Sequence, residues 1–364
     1  MSRSRLSSSA SPAGDGSWGP VKAGLHASTQ IQLPVTPLRP VPDAAPPSRH
    51  EKAMSSPRIS ARTGGPATLG RPPRASARHV DKTYPLWFYI PGGLIYLTLF
   101  IVPTLFSFYF AFTRWTLFKA TFIGFDNFVL FFQDPGLIGS LTNTLIYGFT
   151  TSAAKVVLGM LLAVVLSAPI IARGYLRSVT FFPVLVSTVG VGITFQVLLN
   201  PFHGVVNAVI TSITHADGPG WLTDPHIALL SVAAIDVWKG IGLATLIYIA
   251  GIAAIPSEYF EAARVDGASA WQMFRTITLP LSFPATSTVI LLSLIGGLRS
   301  FDLIWTTTQG GPGFSSDVVA SVIYKEYQAG FYGLSTAGNV ILFIVVTAII
   351  YPLSRWLNSR ETVL

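Results

Sequence analysis

Five ionisable side chains interrupt long apolar stretches of this chain: Lys155, Asp236, Lys239, Arg299 and Asp302. Charge is costly inside hydrocarbon, so such residues mark either an internal neutralisation or a route for a polar solute. Asp236 and Lys239 stand three apart, about one helical turn, where opposite charges can pair. Arg299 and Asp302 repeat that spacing. Asn143, Gln196 and Asn200 add uncharged polar groups that could reach hydroxyls on a solute.

No residue pattern supports covalent or metal chemistry. The chain has no Cys, which leaves no thiol nucleophile and no Cys-based metal site. Its six His are scattered, and none falls at a metal-ligand spacing. Neither H-E-x-x-H nor G-x-S-x-G occurs. The Gly-rich "GGPG" at 310–313 lacks the Gly-Lys-Ser/Thr that completes a phosphate cradle, and it reads as a turn. The expectation is no catalytic residue, no metal site and no ATPase signature.

The elements that would position the five charges follow from composition. The 364 residues are 50% hydrophobic but only 11% charged, against about 25% in soluble domains. Six apolar runs, at about 86–112, 141–168, 175–199, 227–254, 283–306 and 335–356, each approach or exceed the roughly 20 residues of a spanning helix. The runs are continuous rather than alternating, which excludes a barrel. Pro183 should kink the third. Between spans one and two, "FIGFDNFVLFFQDP" reads as a short interfacial helix.

Residues 1–83 are rich in Pro, Ser and Arg without apolar periodicity, and read as a disordered basic tail. Residues 1–82 hold 12 Lys/Arg against 4 Asp/Glu, which is the whole net charge of +8. The tail lacks a signal-peptide pattern, and Met54 is an alternative start. A basic tail ahead of an apolar body points to membrane orientation rather than to nucleic acid. With the N-terminus inside, the inner segments carry eleven Lys/Arg (among them Arg173, Arg177, Arg264, Arg275, Arg355 and Arg360), and the outer ones three: Arg114, Lys119 and Lys325. Both termini and the segment 255–282 are then cytoplasmic.

That inner segment holds "EYFEAARVDGASAWQMFRTITLPLSFP". Ser257 can cap a first helix, with Glu258 and Glu261 favoured in its first turns. Small Ala262 and Ala263 allow close approach of another surface. Gly267, after Asp266, suits the left-handed turn that ends a helix. A second amphipathic helix follows, with Trp271, Phe274 and Ile277 at helical spacing, before Pro280 and Pro284. A plain linker packed on the bundle would satisfy the same physics.

The pattern E-A-A, three residues, G, nine residues, I-x-L-P runs through Glu261, Ala262, Ala263, Gly267, Ile277, Leu279 and Pro280. It resembles the coupling loop of binding-protein-dependent ABC importer permeases. "DVWKGIG" (236–242), "TTTQGGPGFSSDVVASVIYKEYQAGF" (306–331) and "SLTNTLIYGF" (140–149) resemble the carbohydrate-uptake branch, the maltose and glycerol-3-phosphate type. The likeness covers roughly 86–360. The extra spans and large outer loop of the maltose-type subunit are missing.

The resemblance implies an all-α polytopic membrane protein: six transmembrane helices with a cytoplasmic coupling loop (255–282) between spans 4 and 5, in a domain of residues 84–364. It implies a multi-pass permease subunit in a bacterial or archaeal inner membrane, forming half the pore of an ATP-driven sugar importer. Its partners would be a second permease subunit, two copies of a cytoplasmic ABC ATPase carrying ATP and Mg, and an extracytoplasmic sugar-binding protein. Glu261, Ala262, Ala263, Asp266, Gly267, Ile277, Leu279 and Pro280 would dock the ATPase. From their place in the apolar runs rather than from the resemblance, Asp236, Trp238, Lys239, Arg299, Asp302 and Asn143 would border the sugar pathway, with Trp238 or Trp305 stacking on a sugar ring, or the charged pairs would serve only as structural neutralisation. A stand-alone secondary transporter is the alternative; it would need an internal repeat and midplane coupling charges.

Overall fold

The computed structural model describes residues 86–116 and 118–361. The basic tail and the alternative start at Met54 lie outside the described residues. In chain order, α1 (Trp87–Ala111) leads into an antiparallel hairpin of β1 (Thr113–Trp115) and β2 (Ala120–Phe122), with Arg114 opposite Thr121. Then come α2 (Asp126–Gln133), α3 (Pro135–Ser167), the pair α4 (Arg173–Leu185) and α5 (Thr188–Leu198), and short α6 (Val205–Thr214). Helices α7 (Ala228–Ala253), α8 (Ser257–Val265), α9 (Ala270–Leu281) and α10 (Phe283–Leu298) follow. The described chain closes with α11 (Asp302–Thr307), α12 (Val319–Gln328) and α13 (Tyr332–Glu361).

Helices α1, α3, α7 and α13 can each cross a membrane unbroken, and two bent pairs supply two more crossings. The expected all-helical, six-span architecture is borne out, with the small hairpin as an addition. The third run is not one kinked helix. It breaks at Val186 and Ser187, both extended, and turns through 97°. Pro183 stays buried inside α4, so the bend falls three residues beyond it. The fifth run also ends early, at Leu298, and α11 resumes after a three-residue break. The second starts six residues sooner than its apolar run. There Asp134 accepts from the Gly136 and Leu137 amides, at 2.7 and 3.3 Å, and Pro135 needs no donor partner. The expected helix in 122–135 is present as α2.

Helix α3 is the central strut, packed along α7 and α10. Lipid tails are as apolar as Leu, so helices associate here by close van der Waals contact between small residues. A Cβ on Gly297 of α10 would lie 2.8 Å from both the Gly148 Cα and the Thr151 Oγ1 of α3, and one on Gly159 of α3 would lie 2.9 Å from Ala244 Cβ of α7. Tyr147, Val191, Val232, Ile235, Leu303 and Ile304 fill one core around α3, α5, α7 and α11. Met160, Ala163, Tyr248, Ile249 and Val289 fill a second, nearer the end of α7 that carries the elbow. The outward faces are apolar too, as at Leu99, Val157 and Ile193, all exposed.

Gly296 and Gly297 give a matched test, because nothing lies within 4 Å of a Cβ on Gly296. Gly297→Val should cost about 1–3 kcal/mol through overpacking. Gly296→Val should be near neutral. Thermal melting in detergent reads the difference, and equal melting temperatures would refute this close α3–α10 contact.

Candidate functional site

The elbow between α7 and α10 is built from two local devices. Helix α8 has no buried residue; Glu261 is exposed, Tyr259 is 55% exposed and Val265 88%. Its N-cap position is held by Pro256, with no side-chain cap, so Ser257 does not play the expected capping role. Its C-terminus closes as a Schellman motif. The Ala268 amide donates to Ala263 O (2.9 Å) and the Gly267 amide to Arg264 O (3.1 Å). Gly267 takes φ +77°, the left-handed angle expected of it. Helix α9 opens at once with a capping box: Ser269 Oγ accepts from the Gln272 amide at 3.3 Å, and Gln272 Oε1 from the Ser269 amide at 2.7 Å. The S-x-x-Q signal for this cap was present in the sequence and went unused.

Helix α9 then widens into a π-turn at Phe274–Thr278. Pro280 carries no amide hydrogen, and the wide turn before it takes up the misfit. The aromatic stripe is split in consequence. Trp271 stays 67% exposed, with its ring 5.4 Å from Phe274, while Phe274 packs on the core below. Leu279 is exposed, Ile277 and Pro280 half-buried, and Asp266 exposed. A 67° bend at Ser282 returns the chain to the bundle.

Among the membrane charges, the structure re-pairs one and leaves two couples apart. Asp236 does not bond Lys239; it accepts from Lys155 Nζ of α3 at 2.7 Å. Two things select this partner. The side chains are 10% and 22% exposed, so each charge needs a counter-ion. Gly240, one turn along α7, clears the path: a Cβ there would sit 2.8 Å from Lys155 Cε. Lys239 makes no ion pair among the described residues. Arg299 and Asp302 do not pair either, because the helix stops between them. Arg299 borders a cavity of about 560 Å³ with Asn339, Phe343 and Tyr351. Trp238, 46% exposed, meets Phe195 edge-on at 5.2 Å beside a cavity of about 630 Å³ that Trp221 also lines. Trp305 stacks on Phe301.

The uncharged candidates act as clamps. Asn143 donates to Ser315 O (3.1 Å) and Asp317 O (2.9 Å), tying the Gly-rich turn to α3. Gln196 donates to Thr307 O, and Asn200 accepts from the Phe202 and His203 amides. One feature the sequence reading missed is Asp317. It is fully buried, accepts from Lys325 Nζ at 2.6 Å and from Ser321 Oγ at 2.7 Å, and holds the 309–317 turn against α12. Its eight-residue separation from Lys325 is no helical-turn spacing, so no local rule flagged it. Apolar α6 was missed as well; Asn207 secures it by donating to Pro201 O and Pro219 O and accepting from Trp221 Nε1.

Six crossings around a central helix, with an exposed helical elbow between the fourth and fifth, define a multi-pass membrane transport component. The family of binding-protein-dependent transport system inner membrane components matches residues 155–363, and the chain belongs to it. A probable ABC transporter permease protein, YurN, of Bacillus subtilis is 30% identical, over 74% of this chain and 94% of its own length. The trehalose/maltose transport system permease protein MalF of Thermococcus litoralis is also 30% identical, over 71% and 88%. The crystal structure of a bacterial ABC transporter involved in the import of the acidic polysaccharide alginate matches with TM-score 0.67 at 26% identity, covering 75% of this chain and 95% of that one. The chain is therefore a non-catalytic, multi-pass inner-membrane component of an ABC importer, and the stand-alone transporter alternative falls.

Removing one partner of a buried ion pair costs about 3–5 kcal/mol, whereas replacing both with apolar side chains is often near neutral. Asp236→Asn alone should thus lower the melting temperature more than Asp236→Leu combined with Lys155→Met. If Asp236→Asn with Lys239→Gln behaves as that double variant does, the pairing is with Lys239 instead. Separately, Ser269→Ala should cost about 0.5–2 kcal/mol of local stability. Faster amide exchange confined to 269–281 would report it; unchanged exchange there would deny the cap.

Proposed function

We propose that this chain is the permease subunit of an ATP-driven sugar importer, forming half of the translocation pore with a second permease subunit. Two copies of a cytoplasmic ABC ATPase bind ATP and Mg, and an extracytoplasmic sugar-binding protein delivers the solute. The elbow 255–282 is the docking surface for the ATPase, with Glu261, Ala262, Ala263, Asp266, Gly267, Ile277, Leu279 and Pro280 as its framework. Both termini and the elbow face the cytoplasm, in keeping with the Lys/Arg balance, and residues 84–364 are the transmembrane domain.

One observation carries the docking proposal. Helix α8 buries none of its residues against its own chain, yet a Schellman turn and a capping box hold it in a defined pose. A linker needs no such order; a ledge for a partner does. Small Ala262 and Ala263 let a partner approach the backbone, and Glu261 offers a charge. Sugar as the cargo rests on relatives whose names specify it: the trehalose/maltose permease above, and a multiple sugar-binding transport system permease of Streptococcus mutans at 28% identity. Exposed Trp238 and the Arg299 cavity suit a polyhydroxylated solute, the indole face for a ring and the guanidinium for hydroxyls.

Affinity capture of the native complex through this chain tests the proposal. It should bring down a second permease and an ATPase, and Glu261→Lys should release the ATPase while the second permease stays. Gly267→Val forces a β-branched residue to φ +77° and should uncouple ATP hydrolysis from uptake, leaving the chain inserted. Uptake at the wild-type rate in that variant would reduce the elbow to a linker.

A further inference from the structure

A cleft of about 840 Å³ opens where the β1–β2 hairpin meets the ends of α2, α3, α12 and α13. It lies away from the elbow, and neither the transport reading nor the coupling reading uses it. Arg114 and Trp115 line one wall; Gln133, Asp134 and Glu326 line the others, with Leu130, Leu137 and Leu334 between them. Arg114 has no acidic partner among the described residues. Among the described residues the Glu326 carboxylate has neither a hydrogen bond nor an ion pair, and Asp134 spends Oδ1 on the start of α3. Burial, and secondarily the charge of Asp134, pushes the Glu326 carboxyl above the usual carboxylate range. The cleft therefore presents an uncompensated cation and uncompensated carboxylates across one apolar floor.

Depth narrows the ligand. The hairpin follows the end of spanning α1, and neighbouring α2 and the residue before it expose Phe125, Leu130 and Phe132, apolar side chains suited to a bilayer interface. Trp115 is held rigid by stacking on Phe110 at 4.2 Å, with Tyr332 at 5.4 Å. Trp and Tyr at this depth mark the headgroup layer. A ligand resident there carries an anion and a cation on one short headgroup above an apolar tail.

We propose that this cleft binds a zwitterionic phospholipid with a primary ammonium headgroup, phosphate on Arg114 and ammonium on Glu326 and Asp134. Arg suits phosphate through its forked donors. A primary ammonium has N–H groups for the two carboxylates, which a quaternary choline lacks. The glycerol end rests against Leu130 and Leu137. Assignment to the outer leaflet rests on the orientation proposed above; the binding chemistry does not.

The test uses the full-length chain in detergent, melted with added phosphatidylethanolamine, phosphatidylcholine or phosphatidylglycerol, and with soluble phosphoethanolamine. Phosphatidylethanolamine should raise the melting temperature by roughly 1–2 °C. The other two lipids and the soluble headgroup should give less than half of that. Glu326→Gln and Arg114→Gln should each erase the advantage while leaving the melt without lipid unchanged; should Arg114→Gln fold poorly, Glu326→Gln decides alone. Equal shifts from all three lipids, or an advantage that survives Glu326→Gln, would overturn the site. A shift from soluble phosphoethanolamine equal to that of the lipid would also overturn it, assigning the cleft to a small solute.

Discussion

The close approach of α3 to α7 and α10 is the contact on which the rest of the molecule depends. In hydrocarbon there is no hydrophobic gain from pressing one apolar helix on another, so the bundle must gain its cohesion from contact distance. Gly148, Gly159 and Gly297 supply that distance. Once α3 and α7 are this close, Lys155 can reach Asp236 past Gly240, and two otherwise costly charges neutralise each other. The same two neighbours of α3, α7 and α10, hold the two ends of the elbow. If the elbow docks a partner as proposed, a push on it is delivered to the helices that grip the central strut, a direct mechanical route to the core of the bundle.

Polar side chains near the opposite ends of these helices do a different job. Asn143, Asp317 and Lys325 tie the Gly-rich turn to α3 and α12, and Asn207 folds the 200–225 connection onto itself. These groups fix irregular backbone, which hydrocarbon tolerates only where protein or water satisfies it. Rigid connections there leave the bends at Val186–Ser187 and Ser282 as the places where spanning segments change direction.

Much of this was legible in the residues. The six crossings follow from apolar run length, and the elbow from Gly267 and the two prolines, because both signals are local. The partner of Asp236 was not legible. Helical spacing offered Lys239, three residues away, but the choice was made by burial and by the room left at Gly240, which only the packed bundle reveals. The break in the third span was misplaced for a related reason. Pro183 was a visible irregularity, yet the helix absorbs it and turns at Val186–Ser187, residues with no breaker signature. Asp317 and α6 escaped because their partners are brought together by the fold rather than by sequence period.

Site-specific cross-linking at Val265 tests the central claim, that the elbow is a docking ledge, most directly. The chain contains no Cys, and Val265 is 88% exposed, so Val265→Cys places a single reactive thiol on α8. A short thiol-reactive cross-linker applied to native membranes should join this position to an ATPase subunit, with a yield that changes when ATP is added. A Phe125→Cys control near the β1–β2 hairpin should give no such product. Equal ATPase cross-linking from both positions, or none from Val265→Cys in a fully expressed complex, would contradict the account.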